Sequence, residues 1–195
     1  MMGHVLEKQS PLSYAEYQAL ESTATQERYE YLDGTVVSMA GGTDVHNQIV
    51  GNAAYALRNF YRPRGCRVFT ETVKLELLKE RRYVYPDVMV NCSDRDKASH
   101  RLKREPVLII EVLSESTEKK DLKDKVEFYQ NIPSLRAYLI VEQTEYWVRV
   151  YERDEEGKWL PHRFVNQLSD PLTLRSGWSI SLSELYADVE ISEPG

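Results

Sequence analysis

Glu111 lies inside an otherwise apolar run, Val107-Leu108-Ile109-Ile110-Glu111-Val112-Leu113. An ionised carboxylate in such a strand is costly unless it is paired, hydrogen-bonded or bound to a metal. Glutamate also has low strand propensity, so something must compensate for it. Asp87 is a second anomaly, directly after Pro86 in Tyr83-Val84-Tyr85-Pro86-Asp87-Val88-Met89-Val90. Proline cannot donate to a sheet ladder and marks an edge, a strand start or a bulge. A bulge re-aims the side chain that follows, here a carboxylate. Lys125 is the third element. Asp121, Lys125 and Tyr129 are spaced i, i+4, i+8 and share one helix face. If that helix packs back on the sheet, Lys125 reaches the carboxylates. Each residue alone has a plainer explanation: a loop cap for Asp87, a structural arginine partner for Glu111, a surface Asp–Lys pair on the helix. Two carboxylates and an ammonium from adjoining elements could together form a charged cluster able to hold a metal ion.

Two further side chains are candidates on weaker grounds. His46 opens a helical segment, where an imidazole could contact substrate or serve as an auxiliary base. A single histidine at a helix start more often has a structural or capping role. Tyr129 could hydrogen-bond the site, although core packing with an exposed hydroxyl is the better account of it.

The elements that must position these residues follow from periodicity and punctuation. Ser13-x-x-Glu16 is a capping box that predicts a short helix to about Glu21. A hairpin is expected around Asp33-Gly34. Ile49, Val50, Ala53, Ala54, Leu57 and Phe60 recur at helical spacing, predicting an amphipathic helix over 45–61 that Pro63 and Gly65 end. The alternation of Phe69, Glu71, Val73, Leu75 and Leu77 predicts one strand over 68–78, with the next over 83–90. The polar stretch 91–105 reads as a loop or short helix. The apolar run 107–113 reads as a central buried strand. A helix over 121–131 and strands over 136–142, 146–151 and 159–165 follow. Ser181-x-x-Glu184 caps a last short helix. The expected architecture is a single α/β domain over 1–195, with its core at about 11–186 and a mixed β-sheet of six or more strands flanked by helices.

Composition narrows the function classes. The chain has 195 residues and a formal charge of −6. No apolar run is long enough for a membrane helix, and the first ten residues lack a signal peptide's apolar stretch, so a cytoplasmic protein with no membrane role is expected. Two cysteines are too few for a disulfide framework, and neither CxxC nor HExxH occurs. Charge is uneven: Arg58 to Lys125 holds 17 basic against 12 acidic residues. A protein acidic overall binds nucleic acid poorly through charge alone, yet a locally basic face could hold phosphates.

Pro86-Asp87, then Glu111 one strand later, then a lysine, resembles the PD-(D/E)XK nuclease superfamily. More narrowly, Tyr85-Pro86-Asp87-Val88, Glu111-Val112-Leu113-Ser114, Asp121, Lys125 and Tyr129 resemble a bacterial family of restriction endonuclease-like proteins found largely in cyanobacteria. Tyr29-Glu30-Tyr31-Leu32-Asp33-Gly34 and Gly41-Gly42 followed by His46 fit that family's opening pattern. The resemblance covers about residues 11–186. It implies a restriction endonuclease-like core and Mg²⁺- or Mn²⁺-dependent hydrolysis of DNA phosphodiester bonds. Asp87, Glu111 and the Val112 backbone carbonyl would be metal ligands. Lys125, and Glu30 as the additional acidic residue, would complete the catalytic set, with His46, Tyr129 and Asp121 auxiliary. One departure is visible: Leu113 stands where the superfamily's lysine belongs, so Lys125 would replace it from the next helix. A homodimer would suit cleavage of two strands, and the hairpin over 146–165 offers a surface for it. Two alternatives remain at this level. One is a catalytically inactive relative that binds DNA or a partner, and the other is a phosphodiesterase acting on a small nucleotide.

Overall fold

The computed structural model describes residues 11–24, 27–39, 42–113 and 119–191, the side chains of 119–122 excepted. Helix α1 (Tyr14–Thr23) begins at the expected capping box: Ser13 N–H donates to the Glu16 carboxylate at 2.7 Å, and Glu16 N–H returns to Ser13 Oγ. Strands β1 (Tyr29–Leu32) and β2 (Thr35–Ser38) form the expected hairpin. Its two turn residues, Asp33 and Gly34, both have positive φ, which tightens the turn as a two-residue hairpin requires. Helix α2 (Asp44–Tyr61) buries Ile49, Val50, Ala53, Ala54 and Leu57 along one stripe.

The middle of the chain departs from expectation. The single strand expected over 68–78 is two, β3 (Arg67–Thr70) and β4 (Lys74–Leu78). The single strand expected over 83–90 is also two, β5 (Arg82–Val84) and β6 (Val88–Asn91). Both breaks fall at one level. Glu71 takes a left-handed φ of 46°, and its N–H points at the carbonyls of Pro86 and Asp87, 3.2 Å from each. Pro86 has no N–H with which to extend a ladder. The hairpin therefore bends across both strands at once, and its halves join different sheets.

Helix α3 (Asp94–Lys97) and β7 (Leu102–Lys103) occupy the polar stretch after β6. The buried Asp96 carboxylate organises it by accepting Asn91 Nδ2 and the backbone N–H groups of Arg104 and Glu105 at 2.6–2.9 Å. Then come β8 (Pro106–Val112), α4 (Lys119–Gln130), β9 (Ala137–Val141), β10 (Val148–Glu152) and β11 (Arg163–Val165). Only Arg163–Val165 of the strand expected over 159–165 is ladder-paired, with Trp159 making an isolated bridge to Arg153. A two-stranded sheet, β12 (Pro171–Thr173) with β13 (Ser179–Ser181), was not expected. It leads into α5 (Leu182–Leu185), whose capping box was.

Two mixed sheets result. One has the order β11-β10-β9-β8-β6-β3, the other β2-β1-β5-β4-β7. Among the described residues parallel pairing is confined to β8–β9 and β4–β7. In the six-stranded sheet β8 is central, as its apolar run predicts, and its alternation sorts the core. Leu108, Ile110 and Val112 pack towards α2 and the Trp178 region. Ile109 packs the other way with Met89, Tyr138, Ile140 and Tyr129 of α4. Glu111 points to that second side by the same alternation. Cys66 and Cys92, directly beyond the paired Arg67 and Asn91, form a single disulfide at one end of the β3–β6 ladder. Among the described residues no helix is long and apolar enough to cross a membrane.

Burial raises the pKa of Tyr17, Tyr83, Tyr85, Tyr138 and Tyr186 above the ordinary value near 10. Their neutral form is favoured in the folded state, so their contribution to stability is complete below pH 10 and is lost as pH rises through the folded values. Urea midpoints should hold up to about pH 10 and fall progressively above it, with tyrosinate absorbance appearing as the protein unfolds. An unchanged midpoint would contradict this burial.

Candidate functional site

The broken hairpin delivers Glu71 and Asp87 to the end of the six-stranded sheet, beside the C-terminal end of β8. Asp87 is buried, and its Oδ2 accepts the Val112 N–H at 2.7 Å, one residue past the last β6–β8 rung. That bond fixes the carboxylate and leaves Oδ1 turned towards His46, whose Nε2 is 3.5 Å away. The same Nε2 is 3.8 Å from Glu71 Oε1. One donor atom from each of His46, Glu71 and Asp87 lies within 4.8 Å of the others.

Local sequence explains how His46 reaches this point. Thr43 caps α2, its hydroxyl accepting the His46 N–H at 3.0 Å and donating to the buried Gln143 side chain at 2.8 Å. A Cβ on Gly42 would stand 2.8 Å from His46 Cδ2, so glycine there leaves room for the ring. Gly42 thus does more than break the chain before the helix.

Glu111 faces a different set of partners. Its Oε1 accepts a hydrogen bond from Tyr129 and lies 3.4 Å from Lys125 Nζ. Lys125 Nζ also lies 3.0 Å from Oε1 of Glu30, a buried side chain on β1 of the other sheet. The Tyr85 N–H donates to that oxygen at 3.4 Å. Helix α4 thus sits between the sheets and joins a carboxylate from each through one ammonium.

The electrostatics follow from crowding. Burial pushes the Glu111 carboxyl above the ordinary carboxylate range; the charges of Asp87 and Glu30 add to this, and Lys125 with the Tyr129 bond opposes it. For Lys125, burial alone would lower the pKa, but Glu111, Glu30 and Asp87 outweigh it and hold the ammonium charged. His46 behaves likewise: burial disfavours its charge, and Asp87, with Glu71 and Glu111 beyond, raises its pKa.

Asp87, Glu111, Lys125, Glu30, His46 and Tyr129, the residues expected from sequence, therefore come together. Asp121 falls on side chains outside the described residues. Val112 enters through its N–H, held by Asp87, and the close three-donor set contains neither Glu111 nor Val112. Glu71 is the member that sequence reasoning misses. Its signal is a carboxylate in the inward row of the Phe69–Leu77 alternation, a weaker anomaly than that of Glu111 because Thr70 and Thr72 flank it and the alternation still reads as a strand.

A mixed sheet with acidic side chains gathered at its end and a lysine supplied by the following helix defines a restriction endonuclease-like α/β protein. The chain belongs to the Uma2 family, described as "Putative restriction endonuclease", which it matches over residues 14–183. An uncharacterised Synechocystis protein is 32% identical over 180 residues, covering 92% of each chain. A second uncharacterised protein of that organism is 33% identical over 151 residues, or 76% of this chain and 85% of its own. In three dimensions the chain is similar to the crystal structure of a "putative nuclease belonging to DUF820" from Anabaena variabilis. The TM-score is 0.74 at 15% identity, covering 91% of this chain and 98% of that one, a likeness of fold.

Lys125→Met would leave Glu30 and Glu111 buried without their cation. Breaking a buried ion pair from one side costs about 3–5 kcal/mol. Urea unfolding should show a loss of that order, partly recovered when Glu111→Gln is added. Equal losses in the single and double variants would mean that Lys125 does not neutralise Glu111.

Proposed function

We propose that this protein is a divalent-metal-dependent endonuclease that hydrolyses DNA phosphodiester bonds. The observation that carries the reading is a charge imbalance. Glu30, Glu71, Asp87 and Glu111 gather around one lysine and one histidine. Lys125 offsets one carboxylate and a protonated His46 at most one more. With all four carboxylates ionised, the excess is about two negative charges in a largely buried cluster, which a divalent cation would relieve.

The donors suit such an ion. Asp87 Oδ1, Glu71 Oε1 and His46 Nε2 are close enough to share one cation with modest adjustment, and Glu111 borders the same space. Carboxylate oxygens favour Mg²⁺ or Mn²⁺, and the imidazole favours Mn²⁺ of the two. When bound, the cation would lower the pKa of a water molecule and offset charge developing on the phosphate. The chain's own groups then have separable tasks. Glu111, whose affinity for a proton is raised, takes one from the attacking water. Tyr129 keeps that carboxylate oriented. Lys125 sets a positive charge beside the scissile phosphate, and Glu30 holds the ammonium there. The Val112 N–H keeps Asp87 turned to the metal, and the adjoining Val112 carbonyl is a further ligand candidate.

Wild-type protein should nick supercoiled plasmid in Mn²⁺. Glu111→Gln should slow nicking by about 100-fold or more, the scale of a lost proton-transfer group, and Asp87→Asn should slow it by weakening the metal site. Calorimetry should show Mn²⁺ binding that weakens in Asp87→Asn and Glu71→Gln. Nicking by wild type and Glu111→Gln alike, or by neither, would remove the mechanism. Equal Mn²⁺ heats in wild type and Asp87→Asn would remove the metal site.

A further inference from the structure

Glu111 lies in a row of side chains that crosses the six-stranded sheet. It stands opposite Ile140, Ile140 opposite Arg149, and Arg149 opposite Phe164. Directly paired residues share a face, so Arg149 and Phe164 lie on the Glu111 side of the sheet. With strands about 4.8 Å apart, they stand about 10 Å and 14 Å from Glu111 along that row.

The far end of the row is unusual for a surface. Phe164 is 51% exposed. Trp147 meets it edge-on, with ring centroids 5.8 Å apart. The Arg149 guanidinium lies 4.9 Å from the Phe164 centroid and 5.8 Å from that of Trp147. Its Nε is buried and finds no hydrogen-bond partner among the described residues. Beside them opens a cavity of about 450 Å³ lined by Glu145, Tyr146, Trp147, Phe164 and Asn166.

The platform is tied to the proposed metal site. The turn between β9 and β10 is pinned by the Tyr186 hydroxyl, 2.8 Å from the Glu142 carbonyl and 3.0 Å from that of Trp147. In the same turn, Gln143 receives the Thr43 hydroxyl, and Thr43 caps the helix that carries His46. The aromatic surface is therefore held in a set relation to the imidazole.

We propose that Trp147, Arg149 and Phe164 form a stacking subsite for an unpaired nucleobase, one held a few nucleotides from the phosphate at the carboxylate cluster. The placement relative to a scissile phosphate rests on the nuclease reading; the stacking does not. Aromatic faces and a guanidinium plane accept any base, whereas the Asn166 amide and the Glu145 carboxylate suit the polar edge of a planar heterocycle. A span of about 14 Å fits a few nucleotides, since a stacked strand rises about 3.4 Å per nucleotide along its axis. A second copy of the chain fits less well, because it would desolvate Glu145 and Arg149 together. The substrate class implied is DNA with a single-stranded, flipped or frayed segment.

The test is fluorescence anisotropy with a labelled oligothymidylate of ten nucleotides, on the full chain in EDTA so that no cleavage occurs. Wild type should bind it more tightly than a duplex of the same length. Phe164→Ala should weaken binding about tenfold, the scale of one lost base–aromatic stack. Phe164→Tyr should restore it. Equal affinity of wild type and Phe164→Ala, or no binding by wild type, would overturn the subsite. So would sedimentation showing that Phe164→Ala splits a dimer while oligonucleotide affinity stays the same. Plasmid nicking in Mn²⁺, run in parallel, separates the two readings. Phe164-dependent binding without nicking would sink hydrolysis and leave the subsite standing, and nicking with Phe164-independent binding would do the reverse.

Discussion

Four carboxylates, Glu30, Glu71, Asp87 and Glu111, approach one another where the described residues supply one ammonium, Lys125, and one imidazole, His46. Negative charge gathered out of water is expensive, and much of the molecule's irregularity lies where this charge is managed. Three of the four have a defined hydrogen-bonding neighbour, and Glu71 faces His46. The Val112 N–H holds Asp87, Tyr129 and Lys125 hold Glu111, and Lys125 and the Tyr85 N–H hold Glu30. These partners come from two sheets and one helix, so the cluster assembles only when both layers are docked.

Docking depends on the bent hairpin. A continuous pair of strands over 67–78 and 82–91 would have belonged to one sheet. The break at Glu71 and Pro86 lets β3 and β6 serve the six-stranded sheet while β4 and β5 serve the five-stranded one. Glu71 and Asp87 sit at the bend, where neither side chain is committed to a sheet face. Backbone irregularity and chemistry coincide there, as is common where a chain must aim a side chain rather than pair it.

The parts of the site legible in the sequence were those whose residue type conflicts with its surroundings. Glu111 conflicts with its apolar strand, and Asp87 follows a proline inside one. Lys125 and Tyr129 share a helix face with regular spacing. The fold was legible wherever capping boxes, the Asp33-Gly34 turn and long apolar periodicity act locally. Glu71 was obscured because it fits the alternation of a strand, and no glycine or proline marks the bend on its side. Its left-handed backbone goes with the approach of its N–H to the Pro86 and Asp87 carbonyls on the adjoining segment, a tertiary effect. Strands β11, β12 and β13 have three residues each, too few for a period to register. The approach of His46 to two carboxylates depends on how α2 docks, which no local pattern encodes.

The disulfide between Cys66 and Cys92 acquires significance from the ladder it closes. Four rungs, from Arg67–Asn91 to Thr70–Val88, separate it from the level of Glu71 and Asp87. Slippage of one strand by a single residue would turn its side chains to the opposite face and part the two carboxylates. A covalent tie at the far end forbids that shear, because the strands cannot slide while their cysteines stay joined. Alignment at the acidic end is thus inherited from a bond that touches none of the acids, as the tongue of a buckle sets where every other hole of a strap must lie.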